Sequence, residues 1–176
     1  MDDLRDLKTL PDDDNIRFKE IIKKRLYKNP DIIHAIHSHD LDENAPDEYV
    51  GVHIIPSLIV PQTQEIPRTY ICYTSNYDEI SRYNDVIKYA EAQFVVFCDQ
   101  RDLIDKDTGI ARHDLIGALI RREFNFSNYL GLQMECISDN ETTTDTSYAM
   151  RKIIFQIKTP NNVLRDGRVI NKQVRK

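Results

Sequence analysis

Apolar residues recur along this chain at two spacings, and the spacing changes from segment to segment. Over residues 15–27, Phe18, Ile21, Ile22 and Leu26 fall on one stripe while Lys19, Lys23 and Lys24 lie away from it, which predicts an amphipathic helix. Asn29-Pro30 reads as an N-cap followed by proline in the first turn, opening a short second helix through Ile36. Further on, Leu115, Ile116, Leu119 and Ile120 predict a long helix over 111–124, with Arg112, Arg121, Arg122 and Glu123 covering its other sides.

Elsewhere the period is two. Strands are expected over 49–55, stopped by Pro56, over 68–74, and over 87–98, the longest. In the last of these Ala90, Ala92, Phe94, Val96 and Cys98 share one face, and Tyr89, Glu91 and Gln93 the other. Asn76-Tyr77-Asp78 reads as a turn. Two more strands are expected over 132–137 and 148–159, separated by a polar loop over 138–147. Leu58, Ile59 and Val60 are apolar but fenced by Pro56, Pro61 and Pro67. Proline removes backbone donors, so this stretch reads as an edge or an extended arm. The resulting order is helix, short helix, three strands, helix, two strands. Short connections predict mainly antiparallel pairing, and amphipathic helices on one sheet face give a two-layer α+β domain: about five strands, two long helices and extended arms.

Charge adds a division to this picture. The net charge is −5, but residues 1–14 hold six aspartates against Arg5 and Lys8, whereas residues 151–176 hold eight basic side chains against Asp166. We expect an acidic N-terminal arm over 1–14, a domain over 15–160 and a basic tail over 161–176. Such ends suit contacts between one end of a subunit and the opposite end of a neighbour, or contact of the tail with nucleic acid. The start, Met1-Asp2-Asp3-Leu4, lacks the basic and apolar regions of a secretory signal, so a protein kept in a cytoplasm is expected. Cys72, Cys98 and Cys136 form no CxxC pair, and each sits in an apolar strand pattern, as a small buried hydrophobe would.

Catalytic signatures are sparse. The five glycines are too far apart for a phosphate-cradling loop, and no GxSxG is present. His34, His37, His39 and Asp40 are the densest group of metal-ligating types, but their spacing fits no common zinc motif. Glu91 and Gln93 on one strand face, with Asp85 upstream and Lys88 nearby, loosely imitate the acid and acid-x-Gln pattern of restriction-type nucleases, which bind a divalent metal and activate water. An outward polar sheet face accounts for the same residues.

Several segments resemble a known family when taken together. They are Asn29-Pro30-Asp31-Ile32-Ile33, Pro46-Asp47-Glu48-Tyr49-Val50-Gly51-Val52, Ile55-Pro56, Val60-Pro61 and Thr69-Tyr70-Ile71-Cys72. Gly109-Ile110-Ala111-Arg112-His113-Asp114-Leu115-Ile116 and Phe124-Asn125-Phe126-Ser127-Asn128 follow. Asp145-Thr146-Ser147-Tyr148-Ala149-Met150-Arg151 then leads to Phe155 and Thr159-Pro160-Asn161. Over residues 15–162 the chain resembles the tail-terminator or tail-completion proteins of long-tailed bacteriophages. That resemblance implies a homohexameric ring that caps the tail tube, meets neck proteins on its other face and lets DNA pass without specific binding. It implies no catalytic residue and no cofactor, and a place in the virion after assembly in the host cytoplasm. A ring needs a head-to-tail interface that closes. We therefore expect Arg112, Arg121, Arg122, Arg165 or Arg168 to bridge to a neighbour's acidic loop at Asp42, Glu43, Asp47 and Glu48. Leu58, Ile59, Val60 and loop 138–147 are expected to dock on the tube or neck. A head-completion or stopper protein of the same neck, a DNA-packaging accessory using the basic tail, and the metal-dependent nuclease are the alternatives.

Overall fold

The computed structural model describes residues 14–59, 65–77, 87–131, 133–143 and 147–160. Helix α1 (Asp14–Tyr27) and helix α2 (Pro30–Ile36) come first. The Asn29 side chain caps α2 by accepting from the backbone N–H groups of Asp31 and Ile32, with Pro30 in the first turn. The helix ends at His37, whose φ of 52° is left-handed. Strands β1 (Ile54–Ile55), β2 (Thr69–Tyr77) and β3 (Ile87–Asp99) follow, then α3 (Arg112–Phe124), β4 (Met134–Thr143) and β5 (Tyr148–Pro160). They build one sheet in the order β1-β2-β3-β5-β4. The fold is α+β, with three helices packed against a mostly antiparallel sheet.

Register decides which side chains meet the helices. Tyr73 pairs with Phe94, Phe94 with Ile153, and Ala92 with Phe155. These residues share a core with Phe18, Ile22 and Leu26 of α1, Ile32, Ile33 and Ile36 of α2, and Ile116, Ile120 and Phe124 of α3. Burying each such aliphatic or aromatic side chain contributes about 1.5–3 kcal/mol. The opposite face carries a smaller cluster at one end, formed by Tyr70, Cys72, Val95, Phe97 and Tyr148 with Ile55 and Met150 beside it. The Cys72 thiol donates to the Ile59 carbonyl at 3.8 Å, so the chain after β1 lies against that cluster. The backbone there is anchored, while the Leu58 and Ile59 side chains are 43% and 44% exposed.

Three expectations from the sequence need correction. The strand expected over 49–55 shrinks to two residues: Pro46–Tyr49 is a 3-10 turn and Gly51 has a φ of +86°. Proline at the start of that turn and a left-handed glycine after it bend the chain where a pleat would keep it straight. What remains, β1, runs parallel to β2, the exception to antiparallel pairing. Asn76 and Tyr77, expected in a turn, continue β2. Residues 138–143, expected in a polar loop, continue β4.

Candidate functional site

A bulge in β4 builds the first constellation. Cys136 pairs with Phe155, yet Ser138 pairs with Ile154, so Ile137 is an extra residue. It shifts the alternation by one. Met134 and Cys136 face the helices before the bulge, and Asp139 and Glu141, opposite Ile153 and Arg151, face them after it. Two carboxylates thereby come beneath α3. Arg151 pairs with both Asp139 and Asp114, its Nε donating to Asp139 Oδ1 at 2.7 Å and its Nη1 to Asp114. Arg121 adds a second bond to Asp139. These carboxylates hold the Arg151 guanidinium in its charged form, the Asp139 hydrogen bond most of all.

His113, in the first turn of α3, closes this group. It is 2% exposed, and neither ring nitrogen has a hydrogen-bond partner. Its Nε2 stands 3.3 Å from Glu141 Oε1 and 3.5 Å from Asp114 Oδ1. Leaving a buried polar group unsatisfied costs about 1–3 kcal/mol, so this ring is out of balance with its surroundings. One ligand atom from each of His113, Asp114 and Glu141 lies within 4.8 Å of the others.

The second constellation joins the end of α2 to the loop before α3. His37 Nδ1 is 3.0 Å from Asp102 Oδ2, and His39 Nε2 is 3.6 Å from the same oxygen. These three side chains also offer ligand atoms within 4.8 Å of one another. His34 takes other partners: Glu43 at 3.2 Å and Asp107 at 3.6 Å. Asp40 pairs with Arg68. Of the four residues the sequence groups together, only His37 and His39 converge. Their third member, Asp102, lies far along the chain and carries no local signal.

Arg112 anchors this second region and is not a surface charge. It is 1% exposed; its Nη1 donates to the Ala35 carbonyl at 2.9 Å, and its Nε to the Asp102 carbonyl at 3.2 Å. Asp105 Oδ1 lies 3.4 Å from Nη1. This guanidinium ties α2, the 99–111 loop and α3 together within one subunit. Arg121 and Arg122 are likewise engaged in their own chain, with Asp139 and Asp31. Asp42, Glu43, Asp47 and Glu48 are exposed on the loop, as are Leu58 and Ile59. Val60, Arg165, Arg168 and Asp85 lie outside the described residues. Glu91 and Gln93 are half-buried on the sheet face away from the helices and join no metal-ligating group among the described residues. Cys72 and Cys98 are buried and Cys136 half-buried, all as free thiols. Burial pushes the Cys98 thiol up to about 12.

A basic groove of about 590 Å³ completes the surface features, lined by Lys24, Arg25 and Lys28 of the α1 end with Asn29 and Glu123. Arg25 lies over the Tyr129 ring at 3.7 Å, a cation–π contact. Among the described residues, no helix is long and apolar enough to cross a membrane.

The sheet with three helices on one face, and with the charged layer beneath α3, defines an α+β protein. A family model, YomW, matches residues 14–157. The chain belongs to the YomW family. No curated protein matches it.

Proposed function

We propose that this protein is a structural part of a bacteriophage neck, whose copies close into a hexameric ring that terminates the tail tube and joins it to the head-connector proteins. It performs no catalysis in this role, and DNA passes through the ring without specific binding. Its place is the virion, after assembly in the host cytoplasm. One support is the sequence resemblance over 15–162. The observation that carries the reading is the edge of the sheet. β4 ends the strand order with ten residues, and its outer edge pairs with no other strand among the described residues. Met134 and Cys136 at its start bond outward to residues 125–127, and the stretch beyond the bulge, residues 138–143, leaves edge N–H and C=O groups for a neighbouring copy. Ile137, 51% exposed at the bulge, adds an apolar contact there. The exposed acids Asp42, Glu43, Asp47 and Glu48 offer complementary charge for a basic partner surface.

Sedimentation with and without the tail tube protein tests this directly. A ring of copies, located at the tube end in a cryo-EM map of the virion neck, is expected. A strictly monomeric species at high concentration, with the tube protein present, would count against it. Placement of that ring elsewhere in the neck would favour a head-completion or stopper role.

A second reading, a metal-dependent nuclease of restriction-type fold, is favoured by one observation. Two groups each bring three ligand atoms within 4.8 Å, and an ion held there could activate water. The sequence pattern at Asp85, Glu91 and Gln93 does not contribute to either group. DNA cleavage that requires a divalent ion and disappears in Glu141→Gln would support this reading over the structural one.

A further inference from the structure

We propose that His113, Asp114 and Glu141 form a binding site for one zinc ion, clamping the first turn of α3 to the edge strand β4. His113 is buried, with both nitrogens lacking a hydrogen-bond partner, yet its Nε2 faces two carboxylate oxygens. At 3.3 and 3.5 Å those oxygens are farther than an ordinary charge-assisted hydrogen bond would place them. They match a different geometry. Zinc bonds to nitrogen and oxygen of about 2.1 Å give a tetrahedron whose edges are about 3.4 Å.

Charge points the same way. Beneath α3 the guanidiniums of Arg121 and Arg151 neutralise Asp139 and Asp114. Glu141 is the carboxylate in excess, and it faces the ring of His113. An unbalanced carboxylate beside an unsatisfied imidazole favours a cation. One nitrogen and two oxygen donors suit a borderline divalent ion, and zinc outcompetes manganese and iron(II) at such a site. Coordination uses Nε2 and leaves the proton on Nδ1. Asp114 Oδ1 faces both Arg151 Nη1 and His113 Nε2, so the ion and the guanidinium share that oxygen. Glu141 is 61% exposed at its side chain, so water completes the coordination from that side.

The second group differs where it matters. His37 Nδ1 has an ordinary 3.0 Å hydrogen bond to Asp102, and both His37 and His39 are about two-fifths exposed, so nothing there is left unsatisfied. Zinc binding here is independent of the ring reading, and it does not by itself imply the nuclease activity that the second reading would place at the same group.

The test uses the full chain, stripped with a chelator and dialysed, then titrated with zinc chloride by calorimetry. Cobalt(II) is added in parallel to read coordination from its visible absorption. One ion per chain is expected, with a cobalt spectrum of four-coordinate type. Glu141→Gln, whose exposed position leaves the fold intact by circular dichroism, should weaken zinc binding at least about tenfold, and His39→Ala should leave it unchanged. Absence of zinc binding by the wild-type chain overturns the proposal. So does binding that survives Glu141→Gln and is lost in His39→Ala.

Discussion

A Cβ placed on Gly117 would stand 2.6 Å from Cδ of Arg151 and 3.0 Å from its Nε. Helix α3 therefore crosses β5 at a distance that only a residue without a side chain permits, and the Arg151 stem runs through the gap. Its guanidinium is held beyond the helix by Asp139 and Asp114, so the stem cannot swing aside without breaking both pairs. Alanine is the better helix former by about 1 kcal/mol. We expect the clash to win, with Gly117→Ala destabilising the protein by about 1–3 kcal/mol, the range for overpacking. Urea unfolding should show a lower midpoint at unchanged slope. A higher midpoint would mean that Arg151 has another place to go.

Arg112 and Arg122 share a helix and a charge but should answer mutation differently. Arg112→Met removes a buried guanidinium on which the Ala35 carbonyl, the Asp102 carbonyl and Asp105 depend. A loss of about 3–5 kcal/mol is expected, because the partner charges stay behind unpaired. Arg122 pairs with Asp31 where both side chains are more than half exposed. Arg122→Ala should change stability by no more than about 0.5 kcal/mol. Equal effects in chemical denaturation would contradict the burial of Arg112.

Much of this architecture is legible in the sequence where one physical signal dominates. The α2 boundary follows from Asn29-Pro30, because a side-chain acceptor and a proline suit the unsatisfied N–H groups of a first turn. Strand β3 follows from its alternating Ala, Phe and Val residues. The misreadings have equally local causes. Residues 49–55 alternate, but Pro46 and Gly51 impose a turn. Residues 138–143 look like a loop because a strand that presents Asp139 and Glu141 to the helix side is polar on both faces. Arg112 reads as a surface charge when the helix stripe is drawn from aliphatic residues alone. Its position, four residues before Ile116 and eight before Ile120, already places it on the buried stripe. The joining of His113 to Glu141 has no local trace, since it depends on a one-residue bulge in another element.

His34 should titrate above the usual histidine value of 6.5. The hydrogen bond to Glu43 raises it most, followed by the Glu43 charge, with Asp107 adding to both. A raised value in the folded state means that the contact stabilises fully below pH 6.5 and fades as pH rises through the folded value. Both side chains are about half exposed or more, so the effect on stability is small. The clean readout is the proton chemical shift of the His34 ring against pH. Glu43→Gln should bring its midpoint back toward 6.5, and no movement would remove the tie between α2 and the acidic loop.

His53 should respond in the opposite sense. It is 1% exposed, and burial holds its pKa below the ordinary value, against the pull of the Thr69 carbonyl and Asp40. Nδ1 lies 2.7 Å from that carbonyl, which can only accept, so Nδ1 carries the proton. Neutral Nε2 then accepts from the Ser38 hydroxyl at 2.9 Å. A proton added to Nε2 turns the Ser38 hydroxyl toward Asp40, and it leaves a cation beside Tyr49 and Tyr70 with Arg68 nearby. The unfolded chain accepts that proton more readily. Stability is therefore present above pH 6.5 and is lost as pH falls through the folded value. Unfolding free energies should begin to decline as pH falls toward the unfolded value of 6.5 and keep declining until pH passes the folded value, and the decline should be clearest in a Glu43→Gln background, where the His34 contribution is reduced. His53→Gln, which can still donate to Thr69, should flatten the decline. An unchanged slope would show that some other group accounts for the acid sensitivity.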